Sequence, residues 1–129
     1  MTNIDTANSK LAFSFEYYDT SRPEYCLSAW DTEKIRKTLE RLKDVNTKSF
    51  QQLRRERGVY HFNEVNWNKT IEKNGFSNRG LGNLPPFHFA LLGVNGQLAR
   101  VYGAYSSGIF YIVWFDLTHA VWPTPLKHT

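Results

Sequence analysis

The sequence is short of the residue types that stabilise secreted and membrane proteins. Its 129 residues include one cysteine, Cys26, which cannot form a disulfide within the chain. The longest apolar run, Ile109 to Phe115, is much shorter than the roughly 20 residues that a membrane-spanning helix needs. The first ten residues also lack the basic and apolar blocks of a secretory signal. We therefore expect a cytoplasmic protein with no membrane partner.

Motifs that bind nucleotides or zinc are missing as well. The sequence has no glycine-rich phosphate loop, no nucleophile elbow and no zinc-ligand spacing. Asp116 and His119 are two metal-ligand types at one place, but no Cys or Glu cluster completes a site. The ordinary alternative is a turn in which Asp116 and Thr118 hydrogen-bond to the backbone. We therefore predict no metal site and no cofactor.

The apolar content predicts one folded domain. Hydrophobic residues make up 41% of the sequence and aromatic residues 16%, which excludes a disordered or fibrous chain. A chain of this length has room for one hydrophobic core. Residues 1–10 are polar, so we predict a flexible N-terminus followed by a single α+β domain over residues 11–129.

Positive charge is concentrated in one segment. The chain carries a formal net charge of +4, and residues 32–58 alone contain nine basic and four acidic side chains, hence +5. Such a segment attracts phosphate groups and acidic protein surfaces alike. The ordinary alternative is a solvated helix surface with ion pairs inside the helix, such as Glu33–Lys37 and Glu40–Lys43. The side chains that we expect to contact nucleic acid are Lys34, Lys37, Arg41, Arg54, Arg55, Arg57 and, outside this segment, Trp114.

The same segment has the periodicity of two helices. Asp31 is a typical N-cap for the first helix. An apolar stripe follows it at helical spacing, formed by Ile35, Leu39 and Leu42. A second helix is expected from its cap Thr47 to about Arg57. The two helices would form an N-terminal helical hairpin that covers one face of a sheet.

Strand-like patterns occupy most of the remaining sequence. Alternating apolar residues predict strands over residues 11–18 and 59–65, whereas the Asn-, Gly- and Pro-containing segment 66–86 predicts a long loop. Three further strands are predicted over residues 87–94, 97–105 and 109–115. Asn95-Gly96 and Ser106 to Gly108 are hairpin-turn sequences, so these three strands should form an antiparallel meander. The predicted fold is α+β, with an antiparallel sheet of about four to five strands.

Strand alternation assigns the side chains of the meander to two faces. With these turns, Phe89 lies opposite Tyr102, and Arg100 lies opposite Trp114. One face is expected to pack against the helices and to carry Ala90, Leu92, Ala99, Val101, Tyr111, Val113 and Phe115. The other is expected to be an exposed, largely aromatic surface formed by Phe89, Leu91, Arg100, Tyr102, Phe110, Ile112, Trp114 and Asp116.

Arg100 is the most informative residue of the meander. It is the only Asp, Glu, Lys or Arg between Arg79 and Asp116, and it lies in the middle of a strand. Its ordinary role would be that of a solvent-exposed strand residue or an ion-pair partner of Asp116. Its functional role would be to bind a phosphate beside aromatic rings on which a base can stack. The sequence leaves both roles open.

The order of these elements resembles the RelE/ParE-like toxin superfamily. The resemblance lies in the layout of a first strand, a basic helical hairpin and a C-terminal meander that contains Arg100, Tyr102 and the run from Ile109 to Phe115. It covers residues 11 to 119. The segment 66–86 is longer than this layout implies, and the segment after His119 is rich in Trp and Pro rather than helical.

The resemblance implies a small toxin of a toxin–antitoxin system. Similar proteins include endoribonucleases that cut messenger RNA on the ribosome without a metal ion, and others that target DNA gyrase. In the ribonucleases an arginine stabilises the scissile phosphate, and a tyrosine, lysine or histidine assists proton transfer. By position, Arg100 matches the arginine, and Tyr102 and His119 are the acid/base candidates. The implied partners are RNA or the ribosome, and an antitoxin.

A noncatalytic protein is the competing interpretation. The predicted aromatic face, with Phe89, Tyr102, Phe110 and Trp114, would suit a protein-binding or inhibitory module that needs no chemistry from Arg100. The sequence alone therefore supports two hypotheses, an endoribonuclease and a protein-binding module.

Overall fold

The protein has an α+β fold built on a five-stranded, mostly antiparallel sheet. The computed structural model describes residues 8–94, 97–118 and 120–121. The strands are Ala12–Ser14 (β1), Asn63–Glu64 (β2), Pro86–Val94 (β3), Gln97–Ser106 (β4) and Ile109–Asp116 (β5). Their order across the sheet is β1-β5-β4-β3-β2, and β1 alone runs parallel to its neighbour. The predicted α+β class and the antiparallel meander of β3, β4 and β5 are confirmed.

Three α-helices lie between β1 and β2 in the sequence: Thr32–Asn46 (α1), Phe50–Arg55 (α2) and Arg57–Tyr60 (α3). The described residues also contain four 3-10 turns: Pro23–Tyr25 and Leu27–Ala29 precede α1, and Trp67–Lys69 and Arg79–Leu81 lie between β2 and β3. The helices thus follow the first strand, and two short helices replace the single second helix that the sequence predicted. Over the part of the chain that is described, no helix combines the length and apolarity needed to cross a membrane.

Local capping determines where these helices begin. The Asp31 side chain accepts a hydrogen bond from the backbone N of Lys34 at 2.9 Å, so the predicted N-cap of α1 is confirmed. Thr47 is not the cap of α2, because its hydroxyl donates to the carbonyl of Asp44 at the end of α1. Ser49 takes that place through a reciprocal capping box with Gln52.

The buried stripe of α1 differs from the predicted one. Thr38, Leu42 and Val45 are buried, whereas Leu39 is 55% exposed. Steps of four and three residues from Thr38 follow one side of the helix, and Leu39 lies about 100° away from that side. The prediction for Leu39 was therefore wrong, because a threonine occupies the position that an apolar residue was expected to fill.

The turn between β4 and β5 contains two residues instead of three. Ser106 pairs with Ile109, and the intervening Ser107 and Gly108 have φ values of 51° and 85°. Positive φ at both positions is typical of a type I′ turn, which matches the twist of an antiparallel hairpin. The predicted turn at Asn95-Gly96 lies outside the described residues.

Two bulges change the predicted pairing of the meander. In the β3–β4 ladder the extra residue is Leu91 of β3, and in the β4–β5 ladder it is Val113 of β5, opposite the step from Tyr102 to Gly103. Tyr102 consequently pairs with His88 and Trp114, and Arg100 pairs with Ala90 and Asp116. The predicted pair Phe89–Tyr102 was wrong because the β3 bulge shifts the register by one residue. The predicted pair Arg100–Trp114 was wrong because the two-residue turn and the β5 bulge each shift the register by one residue.

Both faces of the sheet are covered. On the helix face, the large buried sheet residues are Phe87, Phe89, Leu91, Val101, Phe110, Ile112 and Phe115. On the opposite side, which we call the loop face, the sheet residues Tyr102, Ala104, Val113 and Trp114 pack against irregular segments that contribute Tyr25, Val65, Leu81 and Val121. The strands carry apolar side chains on both faces of the sheet, so each face must be covered by other segments of the chain.

The predicted exposed aromatic surface is absent from the described structure. Phe89, Tyr102, Phe110 and Trp114 are all fully buried, the first and third on the helix face and the others on the loop face. The segment 66–86, expected to be a loop, supplies part of the layer that covers Trp114.

Candidate functional site

Four polar side chains meet on the loop face of the three central strands. His88 lies on β3, Arg100 and Tyr102 on β4, and Asp116 on β5. We call this group the polar cluster. Tyr102, Asp116 and His88 are buried, and Arg100 is partly buried. Arg100 is therefore not a fully exposed strand residue, and it lies opposite Asp116 of β5, as the ion-pair alternative implies.

His88 positions Arg100. Nη1 of Arg100 lies 3.1 Å from Nδ1 of His88. A guanidinium has only donors, so Nδ1 accepts and the neutral imidazole carries its proton on Nε2. The His88 ring also stacks on the Tyr102 ring, with 5.2 Å between centroids and 24° between planes. Imidazole, guanidinium and phenol are thus held together across two strands.

Arg100 is a cation in a partly desolvated position. Burial lowers the pKa of its guanidinium, while the nearby Tyr102 phenol and Asp116 carboxylate act in the opposite direction. Arginine nonetheless stays charged, because its ordinary pKa lies far above neutrality. A positive charge with reduced hydration binds an anion more strongly than one in bulk water. Arg100 therefore has the electrostatics of an anion-binding residue.

Asp116 holds the segment that follows β5. Its Oδ1 accepts from the backbone N of Ala120 at 2.9 Å, and its Oδ2 accepts from the backbone N of Val121 at 2.8 Å. The carbonyl of Val121 in turn accepts from the backbone N of Ile71. The predicted turn role of Asp116 is confirmed, and the carboxylate anchors the chain next to the polar cluster.

Tyr102 brings a hydroxyl that is buried. Among the described residues, no atom forms a hydrogen bond with it. Burial raises the pKa of the phenol, the Asp116 carboxylate raises it further, and Arg100 opposes the increase. The phenol therefore stays protonated at neutral pH. A buried group that holds its proton this firmly cannot act as a general base, so the predicted acid/base role of Tyr102 has no support in its position.

Removing the Tyr102 hydroxyl should stabilise the protein. Tyr102→Phe is expected to raise the free energy of unfolding in urea by about 1 kcal/mol, because a buried hydroxyl without a partner costs desolvation energy. The matched control is Tyr60→Phe, since the Tyr60 hydroxyl donates to Asp44 at 2.7 Å. That variant should lose about 1 kcal/mol. If Tyr102→Phe loses as much, the Tyr102 hydroxyl has a partner and its unsatisfied state is disproved.

Trp114 is part of the loop-face core and not a surface residue. Its Nε1 donates to Oδ2 of Asp19 at 3.0 Å, and its ring packs against Tyr25 and Phe76 at centroid distances of 4.8 and 4.9 Å. No ring face is left exposed on which a base could stack. The predicted exposure of Trp114 was therefore wrong. His119, the third predicted catalytic residue, lies outside the described residues.

Some of the predicted nucleic-acid contacts are engaged in ion pairs. Lys34 pairs with Asp31, and Lys37 lies 3.9 Å from Glu33, as the solvated-helix alternative implies. The other predicted pair is wrong, because Glu40 pairs with Arg36. These contacts are exposed and contribute little to stability.

The remaining basic side chains have few acidic partners. Arg41 lies 3.9 Å from Asp44, and Arg54 packs over the Phe50 and Phe87 rings. Arg55 and Arg57 form no ion pair within the described ranges. The positive charge of residues 32–58 is thus least neutralised at α2 and α3.

Sequence reasoning missed a second polar network, which fastens the covering segments to the loop face. Nη2 of Arg22 and the Tyr25 hydroxyl both donate to Oε2 of Glu72, at 2.6 and 2.7 Å. The hydrogen bond from Arg22 is the main cause that lowers the pKa of Glu72, and burial opposes it. The Arg22 guanidinium also lies 5.4 Å from the Trp114 ring. The residues are fifty positions apart, so no local pattern could have linked them.

No protein-family model matches the sequence, and comparisons with curated proteins and with solved structures give no significant match. Among the described residues, no three His, Cys, Asp or Glu side chains are grouped so that they could hold a metal ion. The polar cluster and the charge distribution are therefore the features from which a function can be inferred.

Proposed function

We propose that the protein is an RNA-binding, metal-independent endoribonuclease, with the polar cluster at its active site. The observation that carries this proposal is the position of Arg100, a partly desolvated cation aligned by His88 and adjacent to a protonated phenol. An arginine that is held in position and partly desolvated is suited to a phosphate that gains negative charge during a reaction.

The proposed reaction is transesterification within the RNA strand. The ribose 2′-oxygen attacks the neighbouring phosphorus, the bond from phosphorus to the 5′-oxygen breaks, and the 2′-hydroxyl proton passes to a base. The leaving 5′-oxygen takes a proton from water. Arg100, which is partly exposed, would bind the phosphate oxygens as they gain charge, while the buried Tyr102 ring would support the His88 ring that positions it. This leaves a 2′,3′-cyclic phosphate on one product.

His119 is the proposed base. The chain on both sides of it is tied to the polar cluster, because Asp116 belongs to that cluster and accepts from the backbone N of Ala120. His88 does not suit this role, since its Nδ1 already accepts from Arg100 and its Nε2 carries the proton.

Binding of the RNA backbone is assigned to the basic segment. Its net charge of +5 raises the local concentration of polyanions. Arg55 and Arg57 are the strongest candidates, because no carboxylate within the described structure neutralises them. A relationship to the RelE/ParE-like toxins, with a cytoplasmic location, ribosome-bound messenger RNA as substrate and an antitoxin as partner, belongs to the same proposal.

The described part of the structure does not contain the exposed aromatic surface on which the protein-binding hypothesis depends. That hypothesis required Phe89, Tyr102, Phe110 and Trp114 to be exposed together, and all four are buried on two different faces. No other feature of the described residues favours it over the endoribonuclease.

The decisive experiment is a cleavage assay in EDTA. Purified protein should cut single-stranded RNA, alone or on translating ribosomes, and leave 2′,3′-cyclic phosphate ends. It should leave DNA and 2′-O-methyl RNA of the same sequence intact, because both lack the attacking hydroxyl. Failure to cut RNA under either condition would refute the endoribonuclease.

A further inference from the structure

We propose that Arg41 and His61 form a second phosphate-binding subsite beside Arg100, which takes a backbone phosphate of single-stranded RNA next to the scissile one. The inference rests on the proposed function for the role of Arg100. The subsite lies at the bulge of β3, between the C-terminal half of α1 and the edge of the sheet.

Three basic residues lie around this bulge. Arg100 pairs with Ala90 across β4 and β3, and Nε of Arg41 donates to the carbonyl of Leu91 at 3.4 Å. The Arg41 guanidinium lies over the ring of Tyr60, and His61 is the next residue in the chain, two residues before Asn63, which pairs with His88 of β3. Bulges occur preferentially next to functional sites, where they redirect side chains.

The positive charges of both arginines act on His61. Burial is the largest cause that lowers the pKa of the half-buried His61 imidazole, and the positive charges of Arg100 and Arg41 lower it further. Asp44, the acid closest to Arg41, lies 3.9 Å from its Nη1 and already accepts from the Tyr60 hydroxyl. An anion placed between Arg41, His61 and Arg100 would relieve their mutual repulsion.

Arg41 and His61 also retain hydrogen-bond donors. Within the described ranges, neither ring nitrogen of His61 forms a hydrogen bond. In the Arg41 guanidinium, only Nε donates a hydrogen bond to a described residue. The guanidinium is held in place because it also packs over the Tyr60 ring at 5.1 Å. Fixed donors without acceptors are suited to the oxygens of a phosphodiester.

The backbone of His61 gives an independent reason to assign its ring a role. His61 ends α3 in the left-handed conformation, with a φ of 51°. This conformation costs a non-glycine residue roughly 1 kcal/mol, and glycine would adopt it freely. Backbone geometry therefore does not account for an imidazole at this position.

The first test is a titration of the His61 imidazole by NMR, with inorganic phosphate and with a short 2′-O-methyl RNA as separate probes. Each should raise the pKa of His61, because a bound anion stabilises the imidazolium. An unchanged pKa with both probes would overturn the subsite. A response to inorganic phosphate alone would identify a site for free phosphate and overturn the assignment to RNA.

The second test measures affinity for the same RNA across a range of salt concentrations. Arg41→Gln should weaken binding about tenfold and reduce the salt dependence by about one counterion. Arg36→Gln is the matched control on α1, because Arg36 is paired with Glu33 and Glu40, so its loss should weaken binding much less than the loss of Arg41. Equal RNA affinities of the Arg41→Gln variant and the wild-type protein would contradict the subsite.

The variant His61→Gly distinguishes the contribution of the imidazole ring from that of the backbone conformation. We expect unchanged or slightly higher stability in urea, together with weaker binding of 2′-O-methyl RNA. Ser107→Gly relieves the same positive φ in the β4–β5 turn and should bind normally. Wild-type binding by His61→Gly would count against the subsite. Since none of these measurements requires cleavage, an inactive protein that passes them would refute the endoribonuclease and keep the phosphate subsite.

Discussion

Arg100→Lys should cleave RNA roughly a hundredfold more slowly than the wild-type protein, although the charge is kept. The guanidinium can donate to His88 and to two phosphate oxygens at once, because its donors form a planar fork. A lysine ammonium is a point charge on a flexible stem and cannot reproduce that geometry. Single-turnover cleavage in EDTA measures the effect directly.

Lysine is a better test here than alanine. Arg100→Ala would leave the buried His88 without its donor and Asp116 without a neighbouring positive charge, so it is expected to cost about 1–3 kcal/mol of stability. Arg36→Lys, on the exposed surface of α1, controls for the exchange itself. A wild-type rate for Arg100→Lys would remove Arg100 from the proposed active site.

Trp114→Ala should lower the free energy of unfolding by about 3–5 kcal/mol. The side chain is fully buried, donates to Asp19 and contacts the Tyr25 and Phe76 rings, so its removal leaves a cavity under the loop-face layer. Its hydrogen bond is also one of the causes that lower the pKa of Asp19, together with those from Ser21. Urea denaturation followed by circular dichroism measures the loss.

Phe15→Ala is the control for that loss. Phe15 is 54% exposed, and its removal should change stability much less than the removal of Trp114. A Trp114→Ala protein as stable as the wild type, but with weaker RNA binding, would support the sequence-based role of Trp114 in base stacking and contradict its role in the core.

The parts of the fold that could be predicted depend on local chemistry. Asp31 caps α1 because a carboxylate three residues before a free backbone N–H can accept from it. The meander follows from apolar runs separated by turn sequences. The register could not be predicted in this way, because apolar alternation does not show where an extra residue such as Leu91 or Val113 enters a strand, although Gly103 lies at the second shift.

The candidate site was predictable only in part. Arg100 stands out as a lone charge in an apolar strand, and Asp116 as the next one. No spacing rule links His88 to an arginine twelve residues later. The loop-face layer has no helical or strand periodicity, so sequence patterns could not reveal that it covers Tyr102 and Trp114.

The parallel pairing of β1 with β5 sets the order in which the molecule can be assembled. Ala12 pairs with Ile109, so this contact closes a loop of nearly a hundred residues and cannot form before β5 exists. The backbone hydrogen bonds of helix α1 are local, so the helix can form much earlier. Asp116 is the last residue of β5. During synthesis, the polar cluster therefore becomes complete only after the helices and the first two strands of the meander have left the ribosome.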